Sequence, residues 1–135
     1  MKTENIYPEN NQKARGVYAP AKKIDMGSCY LIFVSGRQAK KNSNHEVISE
    51  DVEVQTEEVF ENIQEILNAA GASIDDVVKA VIYLTDMSNF AKVCKIRDKW
   101  FEKCQPVSTM VEISGTTRKG TKIEIEVTAI IDKNM

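Results

Sequence analysis

Near the end of the chain, residues 123–131 alternate strictly: Ile123, Ile125, Val127, Ala129 and Ile131 are interleaved with Glu124, Glu126, Thr128 and Ile130. A repeat of two is the signature of a strand, whose successive side chains point to opposite faces of a sheet. At helical spacing the same residues would scatter around the axis and bury nothing as a set. The run therefore demands a sheet with one apolar face packed on something and one mixed face pointing elsewhere.

The material to cover that apolar face lies upstream. Over 51–70, Val59, Ile63, Ile66, Leu67 and Ala70 recur at helical spacing, with Glu57, Glu58, Glu61, Gln64 and Asn68 on the other side. Gly71 is placed to end this helix in a left-handed cap. Residues 73–76 read as a short capped turn leading into a strand over 77–84, rich in β-branched residues. Asp86 or Ser88 can cap a second helix over 89–103 that buries Phe90, Val93, Ile96 and Trp100. Before the first helix, residues 17–34 hold two strand-like runs split by Asp25, Met26, Gly27 and Ser28. The second run, 29–34, is continuously apolar; it reads as a buried central strand that stops at Ser35 and Gly36, before a polar loop over 40–45.

The order β-β-α-β-α-β-β predicts an α+β fold, a mixed sheet of six strands or fewer with two helices packed on one face. At 135 residues the chain is the size of one domain. Residues 1–12 are polar and read as a flexible N-terminal segment, with the domain spanning 13–135.

Charge and inventory exclude several function classes. Lys and Arg number 18 against 20 Asp and Glu, and the densest basic run, Arg118, Lys119 and Lys122, sits beside Glu124 and Glu126. That is the pattern of a solvated turn, so nucleic acid is not an expected partner. No run is long enough to span a bilayer and residues 1–5 lack an apolar leader, which points to a cytoplasmic protein with no membrane partner. Cys29, Cys94 and Cys104 are odd in number and lack CxxC spacing, as expected of reduced thiols rather than a disulfide or zinc framework. With one histidine, His45, in a polar loop, a Ser-His-Asp triad is not expected. Neither metal-ligand spacing nor a phosphate-cradling glycine loop occurs. Any catalysis must be light on side-chain machinery. The leading candidate is Glu124, a carboxylate on an otherwise apolar strand, which is costly unless paired or used. The plain alternative is that Glu124 and Glu126 together solvate a wet interface.

Four blocks in order, GVYAP (16–20), VSGRQ (34–38), NAAGASIDDVVKAVIYLTDMSNFAKV (68–93) and KIEIEV (122–127), resemble the signature blocks of the Rid/YjgF/L-PSP family. The resemblance covers residues 18–131. It implies a homotrimer with a barrel-like core and a small-molecule pocket at each subunit junction. It also implies cofactor-independent hydrolysis of imines or enamines, such as 2-aminoacrylate, to ammonia and a 2-keto acid, with no metal. The ligand expected is then an imine, enamine or keto acid. Carried over residue by residue, Glu124 is the catalytic carboxylate, and Tyr18, Ser35 and Gly36 belong to the substrate-binding set.

One departure from the family pattern stands out. Where the family has Pro-x-Arg, this chain has Pro106, Val107 and Ser108, so Ser108 replaces the arginine that would hold a substrate carboxylate bidentately. Met110, two residues on, belongs to the same expected pocket, and Cys94 stands where deaminase-type members often carry Asn. Arg37 and Arg118 are candidates to supply the lost charge, Arg37 the better placed because it directly follows Ser35 and Gly36; the plainer reading, and the favoured one, is that both are surface arginines. The expected activity is a weakened or altered deaminase. The alternatives are a non-catalytic small-metabolite binder and, least favoured by the missing histidine pair, an L-PSP-type endoribonuclease.

Overall fold

A computed structural model describes residues 2–8 and 16–134 of the chain. Six strands form one sheet: β1 (Thr3–Ile6), β2 (Ala21–Asp25), β3 (Cys29–Arg37), β4 (Val77–Leu84), β5 (Val107–Glu112) and β6 (Ile123–Asp132). Their spatial order is β1-β2-β3-β6-β4-β5. All neighbours are antiparallel except β4 and β5, which are parallel. Helix α1 (Val52–Ala69) links β3 to β4, and α2 (Phe90–Trp100) links β4 to β5. The last strand to be made, β6, thus fills the centre between β3 and β4.

The alternation of β6 sets the layers. Ile123, Ile125, Val127 and Ala129 are buried with Ile32 and Val34 of β3, Ala80, Ile82 and Leu84 of β4, and the inner faces of both helices, as one core. Phe60 of α1 anchors it, stacked on Trp100 at 5.4 Å and edge-on to Phe101 at 5.2 Å. Asp51 caps α1 by accepting from the amides of Glu53 and Val54, an arrangement worth about 1 kcal/mol. Gly71 follows with φ of 84°, the left-handed conformation in which glycine suffers no Cβ clash. Ser73 and Asp76 close the expected capping box, around a single 3-10 turn.

Several sequence expectations need correction. Within the segment expected to be flexible, Thr3–Ile6 pairs with β2 as an edge strand; backbone bonding needs no apolar pattern, so polarity hid it. The part of that expectation falling on residues 9–12, and the domain start at 13–15, lie outside the described residues. The strand expected from residue 17 begins only at Ala21; Pro20 has no N–H to donate to a ladder, although its carbonyl still accepts from the Ser35 amide. Strand β3 does not stop at Ser35 and Gly36 but runs through them to Arg37. It is not buried on both faces either, since Phe33 is 45% exposed on the face away from the helices. The second helix is shorter than expected, and Phe90 at its first position is 49% exposed, leaving Val93 and Ile96 as its buried residues. Asp86 caps a separate 3-10 turn, Met87–Asn89, rather than the helix itself.

Candidate functional site

Where β3 passes β6 the register slips. Val34 pairs with Val127 but Arg37 with Ile125, so β3 spends one extra residue there. Such a bulge unpairs backbone and re-aims side chains, and it falls on Ser35 and Gly36. The Ser35 amide and hydroxyl both donate to the Pro20 carbonyl, at 2.9 and 3.1 Å, tying the segment that carries Tyr18 onto β3.

Glu124 on β6 lies across Gly36. A Cβ at position 36 would stand 2.5 Å from the Glu124 Oε2, closer than any real contact, so the carboxylate occupies space that only glycine leaves free. The other oxygen, Oε1, accepts from Gln38 Nε2 at 2.7 Å, and Gln38 Oε1 accepts from the buried Thr121 hydroxyl at 3.0 Å. The chain Thr121–Gln38–Glu124 fixes the amide and, through it, the carboxylate. Gln38 was not singled out in the sequence; its position two residues after Gly36 is the only signal there.

Glu126 has different company. Its carboxylate accepts a short hydrogen bond from the Tyr83 hydroxyl, and this bond is the first cause that pushes the Tyr83 phenol up to about 12. The two carboxylates are therefore not an undifferentiated wet pair.

Arg37 is half-buried beside them. Its Nη1 donates to Ser35 Oγ at 3.3 Å, while its Nε is buried without an acceptor. Burial, ahead of the opposing attraction of Tyr18 and Glu124, lowers its pKa, and neighbouring Arg118 adds to the lowering. Arg118 itself reaches the Ala39 carbonyl at 2.8 Å. A cavity of about 370 Å³ opens next to this cluster, lined by Tyr18, Lys22, Phe33, Ser35, Glu126 and Thr128.

The structure thus brings Tyr18, Ser35, Gly36, Arg37 and Glu124 together around β3 and β6. It does not bring Cys94, Ser108 and Met110 to them. Ser108 pairs with Ala80, and Met110 with Ile82, at the far edge of the sheet. Both partners are buried under the helices, so Ser108 and Met110 share the helix side, and Met110 packs against the core. Three strand spacings, about 14 Å, separate β5 from β3. Cys94 lies half-buried on α2, in the helix layer. Among the described residues, no group of three or more His, Cys, Asp or Glu side chains could hold a metal ion, and no helix is long and apolar enough to cross a membrane.

The sequence profile of the family described as Endoribonuclease L-PSP matches residues 9–131. The chain belongs to the Rid/YjgF/L-PSP family. Within it, this Rid protein is 36% identical over 129 residues to a RutC family protein of Pyrococcus abyssi, covering 96% of this chain and 98% of that one. It is 34% identical to the chloroplastic Reactive Intermediate Deaminase A of Arabidopsis thaliana, over 97% of this chain and 67% of the relative. Among solved structures, TdcF of E. coli with bound serine superposes with a TM-score of 0.79 at 28% identity, over 96% of this chain and all 100% of that one. The mixed six-stranded sheet with two helices is thus the Rid fold; of the blocks that carried the resemblance, 16–20, 34–38 and 122–127 build the β3–β6 cluster, and 68–93 builds β4 and the helix ends beside it.

Proposed function

We propose that this Rid protein hydrolyses the C=N bond of small imines or enamines in a pocket formed where copies of the chain meet, with Glu124 as the catalytic carboxylate. The observation that carries this reading is the Glu124 carboxylate held over Gly36 by Gln38, beside the cavity that Tyr18 and Ser35 line. Gln38 engages one oxygen and leaves the other over bare backbone, where a water can be held. The names of relatives support the reaction class: one is a reactive intermediate deaminase, and another structure holds an amino acid.

In the proposed reaction, water attacks the imine carbon while Glu124 takes one of its protons. The C–O bond forms as the C=N π pair moves to nitrogen. Glu124 then returns the proton to nitrogen, giving a carbinolamine; it next takes the hydroxyl proton and passes it to the amine, and as the oxygen pair forms the C=O bond the C–N bond breaks and ammonia leaves. The balance is imine plus water to ketone plus ammonia, with no electrons gained or lost. Proton transfer by a positioned carboxylate contributes about 10²–10⁴-fold, and fixing water and substrate together adds to it.

Imines generated in situ from serine and threonine test this reading, with ammonia release followed in wild type and Glu124→Gln. Release by wild type that falls at least about 10²-fold in the variant is expected. Equal rates in both proteins would remove Glu124 from the mechanism. One observation favours a second reading, a non-catalytic metabolite binder: Ser108 stands where the family's carboxylate-holding arginine would be. Ligand-dependent thermal stabilisation with no turnover of any imine would select it.

A further inference from the structure

The register of β3 on β6 sets one residue of β6 against the whole bulge. Val34 pairs with Val127 and Arg37 with Ile125, so Ser35 and Gly36 together stand opposite Glu126. A bulge re-aims side chains and is common beside active sites. Glu126 is half-buried, and among the described residues it is the one acid that lines the cavity of about 370 Å³. Glu124, two residues back on the same face, is taken up by the space over Gly36 and by Gln38. The mechanism proposed above leaves Glu126 without a task.

Tyr83 fixes this carboxylate. Its backbone pairs with Glu124, but its hydroxyl reaches diagonally across the two strands and donates to Glu126 Oε1. That bond, with burial second, pushes the phenol up to about 12, so Tyr83 remains a donor at neutral pH. An ionised carboxylate has about four acceptor positions, and the phenol fills one. A carboxylate held from behind and facing a cavity in front can take an N–H donor there. The lining suits a donor with positive charge, since Tyr18 and Phe33 bring aromatic rings to the same cavity. Lys22, the cation of the lining, is exposed and forms no ion pair with Glu126. It stands on β2, two strands away from β6, or about 10 Å.

We infer that Glu126 is a nitrogen subsite, accepting N–H from the reacting nitrogen of the substrate, with Tyr83 as its positioning residue. The identity of that nitrogen rests on the proposed function; the affinity for a small organic ammonium does not. Along the hydrolysis the nitrogen gains hydrogens and positive charge, from imine to amine to the protonated amine that leaves. A fixed carboxylate beside it therefore binds each stage more strongly than the one before, which is how a charge assists a reaction rather than only binding its substrate. The subsite also narrows the substrate class to imines that carry a hydrogen on nitrogen.

The test titrates propylammonium chloride and neutral propan-1-ol into wild type, Glu126→Gln and Tyr83→Phe, reading chemical shifts by NMR at neutral pH and constant ionic strength. Circular dichroism and melting curves check folding. Wild type should bind the ammonium more tightly than the alcohol. Glu126→Gln keeps the shape and an acceptor for Tyr83; it should weaken the ammonium about tenfold or more, as expected for one charge-assisted hydrogen bond, and leave the alcohol unchanged. Tyr83→Phe keeps the charge but frees the carboxylate, so its loss should be smaller; should the Gln variant not fold, this loss is the deciding result. A purely structural role for the pair would shift stability and leave the preference for the cation intact. A preference unchanged in either folded variant overturns the subsite and leaves imine hydrolysis by Glu124 standing. A wild type with no preference for the ammonium overturns it too, whatever its turnover. A preference that is lost with Glu126, in a protein that hydrolyses no imine, keeps the subsite and overturns the proposed function.

Discussion

Glu124 and Glu126 sit two residues apart on one strand face, and their partners separate them chemically. Glu126 accepts from the Tyr83 hydroxyl, which favours the neutral phenol in the folded state and raises its pKa to about 12. A raised pKa of this kind contributes stability that is fully present below the ordinary value of 10.0 and lost as pH rises through about 12. An ultraviolet tyrosinate titration should therefore show one phenol ionising near 12, and Glu126→Gln should return it towards 10. If every phenol of the folded wild type titrates together near 10.0, the bond does not exist in solution. Glu124, in contrast, depends on a missing atom. Gly36→Ala places a Cβ 2.5 Å from Oε2 and must displace the carboxylate, at a cost of about 1–3 kcal/mol in stability. Its imine hydrolysis should fall as far as that of Glu124→Gln. Retention of wild-type turnover in Gly36→Ala would mean that the carboxylate position is not the one that matters.

At the scale of elements, what repeats was legible and what depends on contact was not. The period-two run of β6 and the helical stripe of α1 exposed both layers, because burial of a face forces a period on the sequence. Strand β1 escaped notice because an edge strand needs only backbone partners. Phe90 was misplaced because its spacing fits the stripe but it lies at the helix start, where the 3-10 turn carries the chain away from the core. At the site, Glu124 was readable as a charge on an apolar strand, whereas Gln38 has no pattern that marks it. Gln55 is the same case in the core. It lies on the buried face of α1 with no exposed area, donating to the carbonyls of Ser49 and Gly120 and accepting from the Lys122 amide. One side chain thus staples both the approach to α1 and the loop before β6, the loop that carries Thr121. Gln55→Leu keeps the volume but strands those groups, and should destabilise the fold by about 1–3 kcal/mol in chemical denaturation. Because Thr121 orients Gln38, the same variant should also lower turnover below what its stability loss explains. A variant as stable as wild type would show that water replaces the staple.

For the whole molecule, the distribution of site residues is itself an argument about assembly. Tyr18, Ser35, Arg37 and Glu124 gather around β3 and β6, while Ser108 and Met110 lie on the helix side of the far edge strand β5. A single copy cannot fold these two groups together, because the sheet stands between them. The face of the sheet away from the helices also leaves Phe33, Val111 and Ile130 exposed, on strands that no described residue covers there. Apolar surface of that kind is what a symmetric oligomer buries. The expected mass in solution is three times 15.2 kDa, and Val111→Glu combined with Ile130→Glu should reduce it to one chain in sedimentation while leaving the secondary structure intact. A sharper test asks whether each pocket draws on two copies. Glu124→Gln and Met110→Trp should each be inactive alone, one lacking the carboxylate and the other with its half of the pocket filled. Unfolded together in equal amounts and refolded, they should assemble mixed oligomers in which about one pocket in four joins an intact Glu124 to an intact Met110. Recovery of about that fraction of wild-type turnover requires a shared site. No recovery, with mixed oligomers verified by mass, would confine the chemistry to a single chain and remove Met110 from the pocket altogether.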